Sequence, residues 1–228
     1  MLLPVSRVLD VEKPAGVDLG QAARYMGARR GADAGTAALL ERWAPAVLAA
    51  AVPRAVCLRA GVADAALAPL WQGRDVRRHL AGCAEAVLLA VTLGPGVDGQ
   101  VRRAGVGDVA AQAAADALAS ALTEQVCDAA EGRLRALAAA EGLYLTGRFS
   151  PGYGDWPIAV QPRLAELLDA ARRIGLCVTD TCLMLPRKSV TAVLGLSAAP
   201  VTGARAGCGS CALRDKCEYR KRGETCES

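Results

Sequence analysis

The sequence predicts an α+β fold in which a mixed or antiparallel sheet packs around one long central helix. Residues 108–140 are rich in alanine and leucine and contain no proline and only one glycine, Gly132, which is the pattern of a long helix. Residues 55–58 and 86–92 are short, apolar and partly β-branched, as expected of buried strands. Because helices and strands do not alternate regularly, a parallel βαβ architecture is not favoured.

Capping and breaking residues place the remaining elements. The predicted helices are residues 19–28, capped by Asp18 or Gly16, a helix from its cap Thr36 toward Ala50, one near residues 76–81, and residues 163–174, ended by Gly175. Two further strands are predicted at residues 176–179 and 189–196. A linker rich in Ala, Gly and Pro, residues 198–207, separates the main domain, residues 1–200, from a small tail, residues 201–228.

Composition and charge exclude several classes of protein. Hydrophobic residues make up 53% of the 228 residues, yet the apolar runs are far shorter than the roughly 20 residues that a membrane helix needs. Residues 1–9 lack the apolar core of a signal peptide, so we expect a cytoplasmic protein without a membrane span. The net charge is +4, but aromatic residues make up only 4%, so we expect no nucleic-acid partner.

The tail carries four of the nine cysteines, in the spacing C-x2-C-x5-C-x8-C. These are Cys208, Cys211, Cys217 and Cys226. Four thiolates form a complete ligand sphere for a soft metal, so the tail is predicted to bind one. Because only one C-x-x-C knuckle is present, a 4Fe-4S cluster is favoured and zinc is the alternative. The spacing also differs from the C-x3-C-x2-C of radical S-adenosylmethionine enzymes.

A glycine-rich turn follows the predicted strand 86–92. Gly94, Gly96 and Gly99 match the G-x-G-x-x-G pattern of dinucleotide sites. Such a fold needs a second strand that ends in an acid about 20 residues later, whereas here that position, Asp116, lies in the predicted long helix. A tight strand-to-helix turn is therefore favoured, and a dinucleotide-binding oxidoreductase is the weaker alternative.

The chain has a single histidine, His79, which leaves little for Ser-His-Asp or multi-histidine zinc chemistry. The sequence that starts at His79 is similar to the D-x-H-x-x-G element that ligates cobalamin, but Arg77 replaces the aspartate that would orient the imidazole. We therefore expect an ordinary surface or boundary histidine and no cobalamin ligation by this chain.

Four polar residues recur at every fourth position of the predicted long helix. They are Asp116, Ser120, Glu124 and Asp128. Residues at this spacing share one helix face, which is usually a solvated face. The functional alternative is that part of the stripe, Glu124 above all, faces a cationic ligand.

The segment 148–157 is the most informative loop of the chain. Two glycines and two prolines give it a sharply shaped backbone that displays a guanidinium, Arg148, and a phenol, Tyr153. A guanidinium binds a carboxylate, an aromatic face attracts a sulfonium, and backbone groups near Ser150 can bond an adenine or ribose. Those groups match S-adenosylmethionine. The alternative is a rigid loop with Arg148 in a salt bridge and Tyr153 packed.

The R-x-x-x-G-Y pattern of Arg148, Gly152 and Tyr153 resembles the motif of the activation domain of cobalamin-dependent methionine synthase. Similar segments continue in the family's order, namely Leu167-Leu168, Arg172 to Gly175, Val178 to Thr181, Met184 to Pro186 and Ser189-Val190. Upstream, Ala90 to Thr92, Gly94 and Gly96 to Asp98 are also similar. The resemblance spans about residues 86–196 and further weakens the dinucleotide alternative.

The resemblance implies S-adenosylmethionine binding. Arg148 would meet the methionine carboxylate, Ser150 would lend its backbone, and Gly152 and Tyr153 would lie near the ligand. The family's acidic residue on the long helix falls at Ser120, one turn before Glu124. An aromatic ligand contact of the family falls near Thr202.

The resemblance also implies a role in methionine biosynthesis. In that family the domain caps the cobalamin domain, so that one-electron reduction of cob(II)alamin and methyl transfer restore methylcobalamin. Since the cobalamin, homocysteine and folate modules are absent, the chain would act in trans on a methionine synthase core or another corrinoid protein that holds the cobalamin. It would be a component of a methyltransferase rather than an independent enzyme, with a small redox protein as electron donor. The non-enzyme alternative is a metal-stapled Fe-S electron-transfer or interaction protein without ligand binding.

Overall fold

The computed structural model describes residues 6–28, 31–201, 203, 216 and 221. The strands are β1 (Arg7–Leu9), β2 (Arg54–Gly61), β3 (Glu85–Thr92), β4 (Tyr144–Leu145), β5 (Cys177–Val178), β6 (Met184–Leu185) and β7 (Ser189–Ser197). The helices are α1 (Leu19–Tyr25), α2 (Ala34–Ala50), α3 (Arg74–His79), α4 (Pro95–Ala104), α5 (Val109–Ala140), α6 (Gln161–Leu167) and α7 (Ala170–Ile174).

Five strands form one sheet in the order β1-β2-β3-β7-β4, and every neighbouring pair is antiparallel. The central strand β3 pairs along its whole length with β2 and with β7. β5 and β6 form a separate two-stranded hairpin. The predicted α+β class with a long helix is confirmed, and of the two predicted sheet types the structure has the antiparallel one.

Helices or loops cover both faces of this sheet. On β3, the side chains of Val87, Leu89 and Val91 enter one core, while those of Ala86, Leu88 and Ala90 enter the other. Successive side chains of a strand point to opposite faces, so a strand buried on both sides must be apolar throughout. This explains why β3 reads as a continuous apolar run.

The first core, here called the helix-side core, lies between the sheet and the layer of α1, α2, α4 and α5. The long helix α5 agrees with its prediction, and Asp108 caps it by accepting a 2.9 Å bond from the Ala111 N–H. Alanines such as Ala114, Ala117 and Ala121 form much of its buried surface. Small side chains allow the neighbouring helices to pack closely against α5.

The second core, here called the loop-side core, lies on the opposite face of the sheet. It is covered by α3, α6, α7 and the loop 147–157. Its largest fully buried side chain is Trp156, and Phe149 packs beside it with ring centroids 5.8 Å apart. The loop 148–157 is therefore anchored in a core by Phe149 and Trp156 and does not simply project from the surface.

Three helix predictions need correction. The helix predicted at residues 163–174 is two short helices, α6 and α7, because Asp169 takes the left-handed conformation with φ of 52° between them. Asp33, not Thr36, caps α2 by accepting a 2.8 Å bond from the Thr36 N–H. The helix α1 ends at Tyr25, three residues before the predicted end.

Short strands were the least predictable elements. β1 and β4 were not predicted, because three and two residues are too few to show an alternating pattern. The predicted strand 176–179 is reduced to β5, which pairs with the unpredicted β6 outside the main sheet.

The glycine turn after β3 has a structural role. Gly94 has φ of 80°, and a Cβ on Gly96 would lie 2.6 Å from the Ala50 carbonyl oxygen, so α2 ends directly against the turn. Both neighbours of β3 in the sheet run antiparallel to it, and Asp116 lies on α5 rather than at the end of a second strand. The tight-turn interpretation is confirmed, and the dinucleotide alternative is wrong for this fold.

None of the helices in the described part of the chain is long and apolar enough to cross a membrane.

Candidate functional site

A cleft of about 1070 Å³ lies between α5, the loop 147–158, the segment 182–187 and the first half of β7. Its charged and polar lining residues are His79, Glu124, Glu131, Arg135, Arg148, Ser150, Tyr153, Gln161, Cys182, Arg187, Ser189 and Thr191. Four of the predicted ligand residues, Arg148, Ser150, Tyr153 and Glu124, therefore share one cleft.

The cleft exists because β7 is paired on its outer edge only in its second half. β4 pairs with Leu196 and Ser197, and Phe149 exchanges two hydrogen bonds of 2.8 and 3.0 Å with Val193. Ladder bonds alternate in direction along a strand, so the backbone groups of Thr191 point to the same edge as those of Val193. At Thr191 this edge faces the cleft.

Hydrogen bonds within the loop 147–157 and from the loop to the core hold it in place. The Gly152 N–H donates a 2.8 Å bond to the Trp156 carbonyl, which closes a turn at a φ of 94° that favours glycine. The buried Trp156 indole donates a 2.7 Å bond to the Leu70 carbonyl. Gly152 shapes the turn and is not among the residues that line the cleft.

Asp155 ties the same loop to α3. Its carboxylate accepts the backbone N–H groups of Arg74 and Asp75 at 2.9 and 2.8 Å, and Asp75 in turn accepts the Asp155 N–H at 3.2 Å. These backbone donors hold the pKa of Asp155 below its ordinary value. A side chain on Gly73 would collide with the Asp155 carbonyl, so the contact requires glycine.

Arg148 is the electrostatic centre of the cleft. Its side chain is only 17% exposed and pairs with three α5 carboxylates, at 3.2 Å from Glu124, 2.8 Å from Asp128 and 3.2 Å from Glu131. Burial by itself lowers the pKa of Arg148, but the bond to Asp128 and the surrounding negative charges outweigh it, so the pKa lies above its ordinary value. The guanidinium is permanently charged.

The charges at this end of the cleft do not cancel. Glu131 is shared with Arg135, whose guanidinium lies 2.7 Å away and also donates a 2.7 Å bond to the Leu145 carbonyl. Three carboxylates thus face two guanidinium groups, which leaves one net negative charge. This end of the cleft therefore attracts a cationic group, whereas the opposite wall carries the cation Arg187.

The predicted polar stripe of α5 divides into two halves. Lys188, the residue before β7, lies 2.8 Å from the Asp116 carboxylate and donates a 2.9 Å bond to the Ser120 hydroxyl. Glu124 and Asp128 hold Arg148 instead. Ser120, where the family's acidic residue falls, therefore faces Lys188 and not the cleft.

Tyr153 stands at the mouth of the cleft with 55% of its surface exposed. Its N–H donates a 3.2 Å bond to the Ser150 carbonyl, and its ring centroid is 6.4 Å from that of Phe149. Of the rigid-loop alternative, the salt bridge of Arg148 is present, whereas Tyr153 is not packed away.

The predicted surface or boundary position of His79 was wrong. His79 is 1% exposed, lines the cleft floor, stacks on Phe149 with centroids 5.0 Å apart, and has its Nε2 3.0 Å from the Thr146 hydroxyl. The missed signal is its spacing, because Val76, His79 and Leu80 lie at i, i+3 and i+4 on the buried face of α3.

Sequence reasoning also missed the opposite wall of the cleft. Gln161 is buried, donates a 2.8 Å bond to the Cys182 carbonyl and accepts one of 3.3 Å from the Thr191 hydroxyl. The Arg187 N–H donates a 2.8 Å bond to Asp98, which leaves the Arg187 side chain in the lining. These contacts join segments distant in sequence, so no local pattern reveals them.

The predicted metal ligands Cys208, Cys211, Cys217 and Cys226 lie outside the described residues. Within the described ranges, no group of three or more His, Cys, Asp or Glu side chains is placed to hold a metal ion. The other five cysteines are free thiols.

Comparison with known proteins was made on sequence and on structure. The sequence profile described as "Vitamin B12 dependent methionine synthase, activation domain" matches residues 89–220. A solved structure titled "Crystal Structure of the MetH Reactivation Domain bound to AdoHcy" superimposes with a TM-score of 0.50 at 17% identity, over 98% of this chain and 89% of that chain. That likeness shows a shared fold. No curated protein matches the chain. Because the profile covers more than half of the chain, the protein belongs to the vitamin B12-dependent methionine synthase activation domain family.

Proposed function

We propose that the cleft binds S-adenosylmethionine and that the protein assists the reductive remethylation of cobalamin held by a partner in trans. The observation that carries this proposal is the meeting of Arg148, Glu124 and Tyr153 in one cleft. The cleft is built largely from the segment that matches the family. The partner would be a methionine synthase core or another corrinoid protein.

The amino-acid head of the ligand fits the paired charges around Arg148. Its carboxylate would bind the guanidinium, which offers five donors in a planar fork. Its ammonium group would then take the place of the guanidinium at Glu124 or Asp128, now 3.2 and 2.8 Å from Arg148. Every charge keeps a partner in this exchange, so the carboxylates are not left unpaired on binding.

The rest of the ligand fits the neighbouring groups. The excess of one carboxylate around Arg148 and Arg135 favours the sulfonium, and the exposed ring of Tyr153 offers it an aromatic face. The backbone near Ser150 and the open edge of β7 at Thr191 offer hydrogen bonds to the adenine and ribose. Gly152 contributes through the shape of the turn.

The methyl transfer depends on the correct placement of the methyl donor and acceptor more than on acid or base catalysis. The methyl group passes from the sulfonium to cob(I)alamin, the cobalt supplies the electron pair, and S-adenosylhomocysteine leaves with the sulfur pair. The donor is already activated, so no general base is required. The residues of this chain bind and orient the sulfonium.

A rim of exposed apolar side chains surrounds the cleft mouth and supports docking on a partner. It consists of Tyr153, Ile158 and Leu183, which line the cleft, and of Leu185, which follows the lining residue Met184; each of the four is between 45% and 62% exposed. Apolar side chains concentrated at one opening mark an interaction surface. This rim would meet the corrinoid protein, with the ligand beneath it.

The cysteine tail is part of the same proposal. Cys208, Cys211, Cys217 and Cys226 would hold a 4Fe-4S cluster, with zinc as the alternative, and a small redox protein would supply electrons. The support is the spacing of four thiolates in a segment otherwise rich in basic residues, which offset the charge of an anionic site.

Calorimetric titration of anaerobically purified protein with S-adenosylmethionine tests the ligand. Arg148→Ala should weaken binding by about 30-fold or more, because truncation removes the only partner of the ligand carboxylate in this proposal. Glu124→Gln should weaken it less. Arg163→Ala and Glu166→Gln, which break a surface pair on α6, are matched controls and should bind as the wild type does.

One observation favours a rival function. Three carboxylates already satisfy Arg148, as in a purely structural salt bridge. A metal-stapled interaction protein without ligand binding would show this arrangement too. The same titration decides, because no binding by the wild type, even with a methionine synthase core added, would contradict the proposed function.

A further inference from the structure

The outer edge of β7 carries a backbone pair that has no hydrogen-bond partner in the part of the chain that the structure describes. On this edge, the N–H and C=O groups of every second residue point away from β3. Those of Gly195 bond to Thr146 at 2.8 and 3.0 Å. Those of Val193 bond to Phe149 at 2.8 and 3.0 Å. The next outward residue is Thr191, whose backbone N–H and C=O are here called the open pair.

The sequence explains why the ladder stops before Thr191. Since Phe149 lies opposite Val193, continued antiparallel pairing would place Pro151 opposite Thr191. Proline has no N–H to donate to a neighbouring strand. The chain turns away at residues 151–154 instead. The open pair is therefore a consequence of the proline in the motif loop.

The open pair is buried and yet faces the cleft. Thr191 exposes only 2% of its surface and is among the residues that line the cleft. Roughly nine in ten buried backbone N–H and C=O groups in proteins have a hydrogen-bond partner, because a group that loses water without gaining a partner costs free energy. A ligand in the cleft can supply that partner.

Neighbouring groups fix the position of the open pair. The Thr191 hydroxyl donates a 3.3 Å bond to the buried Gln161 side chain, which in turn donates a 2.8 Å bond to the Cys182 carbonyl. On its other edge, β7 pairs with β3 over residues 189–196. A pair held in this way loses little freedom on binding, so it can select a ligand by the pattern of its donors and acceptors.

Charge decides which part of the ligand suits the open pair. The amino-acid head of S-adenosylmethionine is zwitterionic and finds charged partners at Arg148 and Glu124. The open pair is uncharged and consists of one donor beside one acceptor. A neutral, planar base with one acceptor beside one donor is the complementary group.

We propose that the open pair recognises the Watson–Crick edge of adenine and excludes hypoxanthine. The inference rests on the proposed function and names the part of the ligand that Thr191 reads. The Thr191 N–H would donate to the N1 acceptor of adenine, and the Thr191 C=O would accept from its 6-amino group. The base would thus take the position of the next residue of a paired strand. Hypoxanthine has an N1–H donor and an O6 acceptor, which is the reverse of the pattern that the open pair needs.

The base is tested with an analogue on the full-length wild type. In calorimetric titrations, S-adenosylmethionine should bind about tenfold or more tightly than S-inosylmethionine, which carries hypoxanthine. The analogue would meet the open pair donor to donor and acceptor to acceptor. Both ligands have the same sulfonium and the same amino-acid head, so the comparison isolates the base. Equal affinities would overturn the inference and leave the proposed function standing.

Two variants at one position test the backbone donor itself. Thr191→Pro removes an N–H that points out of the sheet and breaks no bond to β3. It should weaken S-adenosylmethionine binding by about tenfold and reduce the preference over S-inosylmethionine. Thr191→Val is the matched control, because it loses the hydroxyl but keeps the open pair, and it should retain the preference. An undiminished preference in the proline variant would contradict recognition through the Thr191 N–H.

An NMR titration of the wild type gives a readout that does not depend on the folding of the proline variant. The Thr191 amide proton should shift downfield when S-adenosylmethionine binds, because it gains a hydrogen bond. The Val193 amide already bonds to Phe149 and should move little. An unmoved Thr191 amide at saturating ligand would contradict the inference alone. Failure of both S-adenosylmethionine and S-inosylmethionine to bind would contradict the proposed function and the inference together.

Discussion

The two faces of the central sheet differ in how they are filled. Among the described residues, the buried members of the helix-side core are aliphatic apart from Cys127, and none of them carries an aromatic ring. The loop-side core instead contains Trp156 and Phe149, which stack on each other, and the buried His79 ring also stacks on Phe149. One face of the sheet is covered by closely packed small side chains, and the other is covered by aromatic side chains that support the loop 147–157.

The difference shows how this fold builds a cleft. Small residues on one face of α5 bring the helix close to the sheet, so its other face can present Glu124 and Asp128 to Arg148. Large rings on the loop side fix a segment that has little regular structure of its own. Both cores are needed because the cleft lies where they meet.

The helix-side core and the cleft also differ in the chemical reactivity of their side chains. Burial raises the pKa of Cys127, in the helix-side core, to about 12. A thiol of this kind is inert at neutral pH. Groups that can bind or exchange partners lie on the cleft side of α5 and on the loop.

The largest effect should come from Trp156→Ala. Loss of the ring and of its bond to the Leu70 carbonyl should cost about 3–5 kcal/mol of unfolding free energy, measured by urea denaturation. Ligand binding should be lost as well, because the loop loses its anchor. Leu118→Ala, in the helix-side core, should cost about 2–5 kcal/mol but keep ligand affinity in the folded fraction. Equal loss of affinity in both variants would break the distinction between the two cores.

Overpacking should harm the helix-side core. Ala121 is fully buried on α5, so Ala121→Leu should destabilise the protein by about 1–3 kcal/mol through displacement of the neighbouring helices. Urea denaturation measures the loss. Ala129→Leu, on the exposed face of the same helix, is the control and should change stability little. A tolerated leucine at 121 would mean that close approach of α5 is not required.

The glycine turn offers a smaller, matched test within α4. Gly96→Ala should cost about 1–3 kcal/mol, because the new Cβ meets the Ala50 carbonyl. Gly99→Ala has open space and should stabilise the helix by about 0.5–1 kcal/mol. Thermal denaturation should show shifts of opposite sign. Shifts of the same sign would contradict the packing role of this turn.

The smallest effect concerns two helix caps, one on each side of the sheet. Backbone donors lower the pKa of both Asp155, which caps α3, and Asp33, which caps α2. A depressed folded-state pKa gives stability that is present above the unfolded-state value, about 3.9, and is lost as pH falls through the folded-state pKa. The melting temperatures of wild type and Asp155→Asn should therefore converge toward pH 3.

Ligand titration separates the two caps. Asp155→Asn should weaken S-adenosylmethionine binding slightly, because Asp155 belongs to the loop of Arg148. Asp33→Asn should show the same convergence of melting temperatures at low pH but unchanged affinity, since it caps a helix on the other side. Weakened binding in Asp33→Asn would show that the two faces are not independent.

The sequence by itself determined the scaffold and the motif. The length of α5, the buried strand β3 and Asp18, one of the two caps predicted for α1, follow from local periodicity and from side chains that bond their own helix. The R-x-x-x-G-Y pattern indicated the family, and the family match confirms it. These features depend on neighbours in the chain, which a sequence displays directly.

Only the tertiary structure decided which partners the polar groups take. The pairing of Arg148 with three α5 carboxylates, the burial of His79 and the approach of Gly203 to its ring join residues far apart in the chain. The short strands β1 and β4 likewise exist only because β2 and β7 offer edges to them. Such contacts depend on the packing of whole elements, and the cleft arises from that packing.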